Sequence, residues 1–197
     1  MDLSKNKIEI CDEFTGHDNL IELLMANNRL ETCSGLADMP KLIKLNLNGN
    51  KLTSIVDLRG LTSLKTLDIG KNKLTTLANF PSLPTLESLD ASENLIDANG
   101  EKELGNLSEC ASLKTLLMAG NPWVDEKGED FKKEVLIALD NLNIVQINDA
   151  EPVSAEDKSD AANEKNEREK ARLEAEEEAR RAAEEAANQP AEGEEAD

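Results

Sequence analysis

The chain has 197 residues, 39% of them hydrophobic, enough for one ordinary domain and an extension. With one Trp, three Phe and no Tyr, its core must be aliphatic. The net charge of −19 divides as −8 over residues 1–148 and −11 over 149–197, so both parts repel nucleic acid and anionic lipid and suit a basic protein partner. The longest apolar run, Val135 to Leu139, is far short of the roughly 20 residues that span a membrane.

In chain order the first feature is a repeat. Asn6, Asn28, Asn50, Asn72, Asn94 and Asn121 are separated by 22, 22, 22, 22 and 27 residues. Around them runs L-x-x-L-x-L-x-x-N-x-L, as in "LIKLNLNGNKL" and "LKTLDIGKNKL". The pattern predicts an α/β solenoid of about six coils over residues 1–148. Leu45 and Leu47 point into the stack while Lys44, Asn46 and Asn48 point to the opposite face of a short strand. An Asn side chain both donates and accepts, so the six asparagines are expected to form a structural ladder that satisfies the turns.

The phase also assigns the reactive residue types. Cys11 and Cys33 align with Ile55 and Leu77, and Cys110 aligns with Met39, Leu61 and Leu83, so all three read as small buried hydrophobes. Three cysteines match no zinc spacing and no disulfide framework. His17 shares the phase of Met39 and Leu61. No catalytic residue, cofactor or metal site is expected, and the chain reads as intracellular.

Twenty-two residues are too few for a strand and a full helix, so extended or 3₁₀ backbone is expected opposite the strands. The longer fifth repeat predicts a short helix near Glu101 to Ser108. From about residue 121 a C-terminal cap is expected. Phe131, Val135, Leu136 and Leu139 recur at helical spacing there, Leu142, Ile144 and Ile147 form a last extended segment, and Trp123 belongs to the lid. The start "MDLSKNKI" falls in the strand of a repeat, with nothing ahead of it to cover that edge.

Residues 149–158 read as a linker, 159–188 as a charged helix and 189–197 as a disordered acidic tail. The helix is rich in Glu, Lys, Arg and Ala with opposite charges four apart, but holds a single large apolar side chain, Leu173. It reads as a strut, or as a helix ordered only against something else, and as separable from the repeat body.

The repeat resembles the 22-residue leucine-rich class typified by a protein phosphatase 1 regulatory subunit. The tail runs "EPVSAED" and "EREKARLEAEEEARR" narrow the resemblance to leucine-rich proteins of ciliary axonemes, closest to that of the radial spoke head. The resemblance implies a right-handed horseshoe that binds other proteins on its concave face. Those expected positions are Glu22, Leu24, Lys44, Asn46, Asn48, Thr66, Asp68, Ser88, Asp90, Thr115 and Leu117. It further implies a non-enzymatic scaffold of the cytoplasm and cytoskeleton, in the ciliary axoneme. Its partners would be axonemal subunits with basic surfaces, with no direct grip on acidic tubulin. The acidic leucine-rich nuclear histone chaperones, which "SENLI…ELGNLSECASLKTL" resembles, and phosphatase- or dynein-associated regulators are the alternatives.

Overall fold

The computed structural model describes residues 1–12, 17–97, 100–148 and 151–187. Six short strands, β1 Glu22–Leu24, β2 Lys44–Asn46, β3 Thr66–Asp68, β4 Ser88–Asp90, β5 Thr115–Leu117 and β6 Gln146–Ile147, form one parallel sheet in sequence order. The register keeps every repeat in phase. Leu23, Leu45, Leu67, Leu89 and Leu116 pair in one row and point into the core, all fully buried. Because side chains alternate along a strand, the two flanking residues of each strand lie on the opposite, solvent side.

Opposite the strands the described residues return through turns and, at Ser34–Leu36, a 3₁₀ segment. Leucines such as Leu36, Leu58 and Leu61 fill the stack from that side. Burying each such side chain contributes about 1.5–3 kcal/mol, and the core is aliphatic nearly throughout. Cys11, Cys33 and Cys110 are buried within it, and burial pushes the Cys33 thiol up to about 12 and that of Cys110 to about 11.

The asparagine ladder is a set of repeated three-way bridges. Asn72 accepts from Leu52 N (3.0 Å) and donates to Leu47 O (3.1 Å) and Ile69 O (2.9 Å). Asn28, Asn50, Asn94 and Asn121 make the same set one coil away in each case. These five are buried. Asn6 is exposed and bonds only to Leu3 O and Ser4 O among the described contacts. The residue before each ladder asparagine sits in the left-handed region, whether it is a glycine (Gly49, Gly120) or not (Lys5, Asn27, Lys71, Glu93). The turn requires that conformation whatever side chain occupies it.

Residues 1–5 lie along β1 as a further extended segment. Leu3 N donates to Leu24 O (2.7 Å), Lys5 N to Ala26 O (2.8 Å), and Leu24 N to Met1 O (2.9 Å). Leu3 and Ile8 lie half-buried against the core there.

The longer fifth repeat holds α1, Gly100–Gly105, so a helix is present but ends before the Ser108 expected from the length of the repeat. Glu103 ties it to the preceding coil by accepting from Thr76 Oγ1 (2.6 Å) and Leu77 N (2.7 Å). The cap is α2 Pro122–Lys127, a 3₁₀ turn Gly128–Asp130, α3 Phe131–Ala138 and the strand β6. Trp123 is fully buried and meets Phe131 edge to face at 5.2 Å. Beyond β6, Asn148 Oδ1 accepts from Met118 N (2.6 Å), in the place that a strand carbonyl of the next coil takes for Met25 N, Leu47 N, Ile69 N and Ala91 N.

The extension differs most from its sequence reading. Helix α4 runs Ala155–Ala187, so residues 155–158 are helical and only 151–154 of the described residues connect it to the cap. The expected tail 189–197 lies outside the described residues. Ser154 and Asp157 form a capping box: Asp157 N donates to Ser154 Oγ (3.0 Å), and Ser154 N donates to Asp157 Oδ2 (2.7 Å).

The first half of α4 packs on α3. Ala161 is buried at that contact, and Lys132–Asp157 (2.6 Å), Lys165–Asp140 (2.6 Å) and Arg168–Glu134 clasp it on both sides. Arg168 binds Glu134 with two parallel bonds of 2.9 Å. The helix is thus ordered against this chain's own cap, and charge takes the part that apolar area could not. From Glu169 onward its described side chains are exposed, leaving an arm of about 28 Å at 1.5 Å per residue.

Candidate interaction surface

The strands gather the sequence-predicted residues into columns on the solvent face of the sheet. Glu22, Lys44, Thr66, Ser88, Thr115 and Gln146 stand in one register column. Leu24, Asn46, Asp68, Asp90 and Leu117 form the next. Asn48 is half-buried two residues beyond Asn46. Except for exposed Glu22 and Lys44, which pair at 2.8 Å, the predicted positions are half-buried, as short side chains on a sheet face should be.

The second column also has a local task. Asp68 Oδ1 accepts from Gly70 N (3.1 Å), Asp90 Oδ1 from Ser92 N (2.9 Å) and Asn46 Oδ1 from Asn48 N (2.9 Å). Each closes the chain onto its own backbone two residues on, which favours Asx residues here for reasons of folding alone. Asp68 also accepts from Asn48 Nδ2 (3.1 Å).

Burial pushes the Asp68 carboxyl up, and the neighbouring Asp90 charge adds to the rise against these hydrogen bonds. Two adjacent carboxylates on a partly desolvated sheet would gain from an arriving cation. Beside them Asp90, Ser92, Glu93, Leu117, Ala119 and Asn148 line an open cavity of about 340 Å³. Small side chains leave the backbone approachable across Gly70, Ser92 and Ala119.

At the entry edge of the same sheet, Glu87 lies between Lys65 (2.9 Å) and Lys114 (3.4 Å). Hydrogen bonds from Lys65 first, then Lys114, hold its carboxyl below the ordinary value. Toward the N-terminal coils that edge turns apolar at Ile43 and Ile21, both exposed.

His17 is half-buried, and its backbone carbonyl accepts from Leu20 N (2.8 Å). Among the described residues no group of three or more His, Cys, Asp or Glu is placed to hold a metal ion, and no helix is long and apolar enough to cross a membrane. What sequence reasoning missed was the clasp of α4. Its signal was present in "SAED", a serine followed three residues later by an acid, which marks a helix start at Ala155. Glu134 carried a signal only in three dimensions, as a carboxylate within the buried stripe of α3.

A model of the family described as leucine-rich repeats (two copies) matches residues 18–60 and 40–82. An internalin from Listeria monocytogenes is similar in structure, with a TM-score of 0.52 and 24% identity over 68% of this chain and 36% of that one. A leucine-rich repeat protein from Leptospira interrogans has a TM-score of 0.50 and 28% identity, covering 68% of this chain and 32% of that one. The chain thus spans about a third of the length of either structure. No curated protein matches it.

Proposed function

We propose that this leucine-rich repeat protein is a non-enzymatic scaffold that binds other proteins on the solvent face of its sheet, the inner face of a right-handed horseshoe. The observation that carries the reading is the sheet itself. Five strands in one register present two columns of side chains whose central members, Thr66, Ser88, Asp68 and Asp90, are short and polar, with Leu24 and Leu117 at the ends of the second. Such a surface admits a partner segment closely, and its carboxylate pair suits an Arg or Lys from that partner. The domain reading goes with it: residues 1–148 are the binding body, and the charged helix provides reach beyond it.

The finer proposal places the protein in the cytoplasm and cytoskeleton, as a structural subunit of the ciliary axoneme at a radial spoke. Its support is the Glu/Arg helical extension, which α4 realises as an arm docked by its first half on the cap of the repeat body. A docked arm suits a linker that holds several proteins in place. The acidic balance of the chain assigns attachment to basic surfaces of other axonemal subunits, without a direct grip on tubulin.

The test is a tagged chain expressed in a ciliated cell. Retention on the axoneme after detergent extraction, with little co-sedimentation of the purified protein on bare microtubules, is the expected result. Accumulation in the nucleus with co-purifying histones would replace this reading with that of a histone chaperone. Co-purification with a phosphatase or dynein would favour a regulatory subunit.

A further inference from the structure

The residue after each of the first four ladder asparagines is a cation: Lys7, Arg29, Lys51 and Lys73. The backbone stacks them. Arg29 N donates to Ile8 O (2.9 Å), Lys51 N to Leu30 O (2.8 Å) and Lys73 N to Leu52 O (2.9 Å), so the four follow one another at the coil spacing of about 4.8 Å. All four are exposed. In the next coil the same column is held by Leu95, half of its surface exposed. Lys5 and Lys71 flank the column two residues earlier in their coils.

Acidic neighbours offset this charge only in part. Arg29 pairs with Glu9 (3.3 Å), Lys51 reaches Glu31 at 4.0 Å, and Lys71 pairs with Glu93 (3.2 Å). The residue equivalent to Glu9 and Glu31 in the next coil is Thr53, so the acidic series stops where Lys73 begins. A chain of net charge −19 therefore carries a positive rim along four coils, ending in an exposed leucine. Stacking like charges at this spacing opposes folding, and an anionic ligand would relieve it.

We infer that this rim is a second docking surface, distinct from the sheet face, and that it takes an acidic amphipathic helix of a partner protein. The spacing selects the helix. Residues three and four apart on one helix face rise about 4.5 and 6 Å, bracketing the coil repeat. Same-side residues of an extended strand lie about 6.8 Å apart and fall out of step within three coils. Carboxylates at i, i+4, i+7 and i+11 face the four cations, and an apolar residue one turn further on meets Leu95. The protein thus holds a basic partner on its sheet and an acidic one on its rim.

The probe is a labelled, alanine-rich synthetic peptide with Glu at those four positions and Leu at i+14, titrated by fluorescence anisotropy against the full chain. The comparison is Lys51→Gln with Lys73→Gln against a control pair from the opposite edge, Lys65→Gln with Lys114→Gln. All four lysines are exposed, and melting curves check that each variant folds. The expected result is binding at low salt that weakens at least fivefold in the first pair and less than twofold in the control. It should also fall with Leu95→Ser. Absence of binding, equal binding by both pairs, or tighter rim-dependent binding of single-stranded DNA of the same charge would overturn the inference.

Discussion

Replacing Arg168 by Met should loosen the junction between the cap and α4 by an amount that the geometry bounds. The substitution keeps the aliphatic stem and removes two 2.9 Å bonds from Glu134, whose side chain is 6% exposed. Removing one partner of a fully buried pair costs about 3–5 kcal/mol, because the remaining charge is left without compensation. Here Arg168 is itself 40% exposed, and Lys127 stays 3.7 Å from Glu134, so part of that penalty is relieved. A loss of about 2–3 kcal/mol remains, or roughly 4–12 °C in Tm for a chain of this size. Urea and thermal unfolding followed by circular dichroism measure it. Glu134→Gln in the Arg168→Met background should recover at least about 1 kcal/mol, the signature of an uncompensated charge. Lys165→Met breaks an exposed pair and should cost less than about 0.5 kcal/mol. If Arg168→Met fell within that same limit, the clasp would contribute nothing and α4 would stand free of the cap.

Asn72→Ala should cost about 3 kcal/mol in urea unfolding, since it strands buried backbone groups of two coils, whereas Asn6→Ala, on an exposed residue, should be close to neutral. Deleting residues 169–197 should leave Tm within about 2 °C, while deleting 154–197 should lower it by more than Arg168→Met does, because Ala161 and all three clasping pairs go with it. Stability should fall as acid is added. The Lys132 hydrogen bond holds Asp157 at about 2, and the Arg168 bonds hold Glu134 below its ordinary value. Groups with depressed folded values stabilise above the unfolded carboxylate range, near pH 4, and lose that contribution as pH drops through their folded values. Wild-type Tm should therefore decline more steeply between pH 5 and 2 than that of Glu134→Gln.

The repeat body was legible because a solenoid repeats its evidence. One leucine or asparagine position is ambiguous, but Leu45, Leu67 and Leu89 in phase, with Asn50, Asn72 and Asn94 behind them, admit few other folds. The same phase placed the cysteines in the core. The sheet-face columns followed from alternation, though the local Asx bonds of Asp68 and Asp90 add a folding reason for those residues that periodicity does not reveal. The extension was misread because its burial was judged from apolar area. Ala161 contributes little area, and the contact rests on ion pairs between residues 25 to 34 positions apart, which no local pattern marks. Asn148 was overlooked for a related reason. Its side chain stands in for a strand carbonyl, accepting from Met118 N, at a position the 22-residue spacing does not reach.

The sheet face is the proposed binding surface, and a paired substitution on it is the decisive measurement. Asp68→Arg with Asp90→Arg reverses the central carboxylates, which lie side by side in the β3–β4 register. Val56→Arg places a single arginine on the exposed return side of a coil, outside the sheet. With a partner isolated from its native complex, calorimetric titration should show affinity reduced at least tenfold by the sheet pair and unchanged by Val56→Arg, with both proteins folded at the titration temperature and the sheet pair the less stable because its local Asx bonds are lost. Equal affinity of the sheet pair and the wild type would move the interface off the sheet and contradict the central claim.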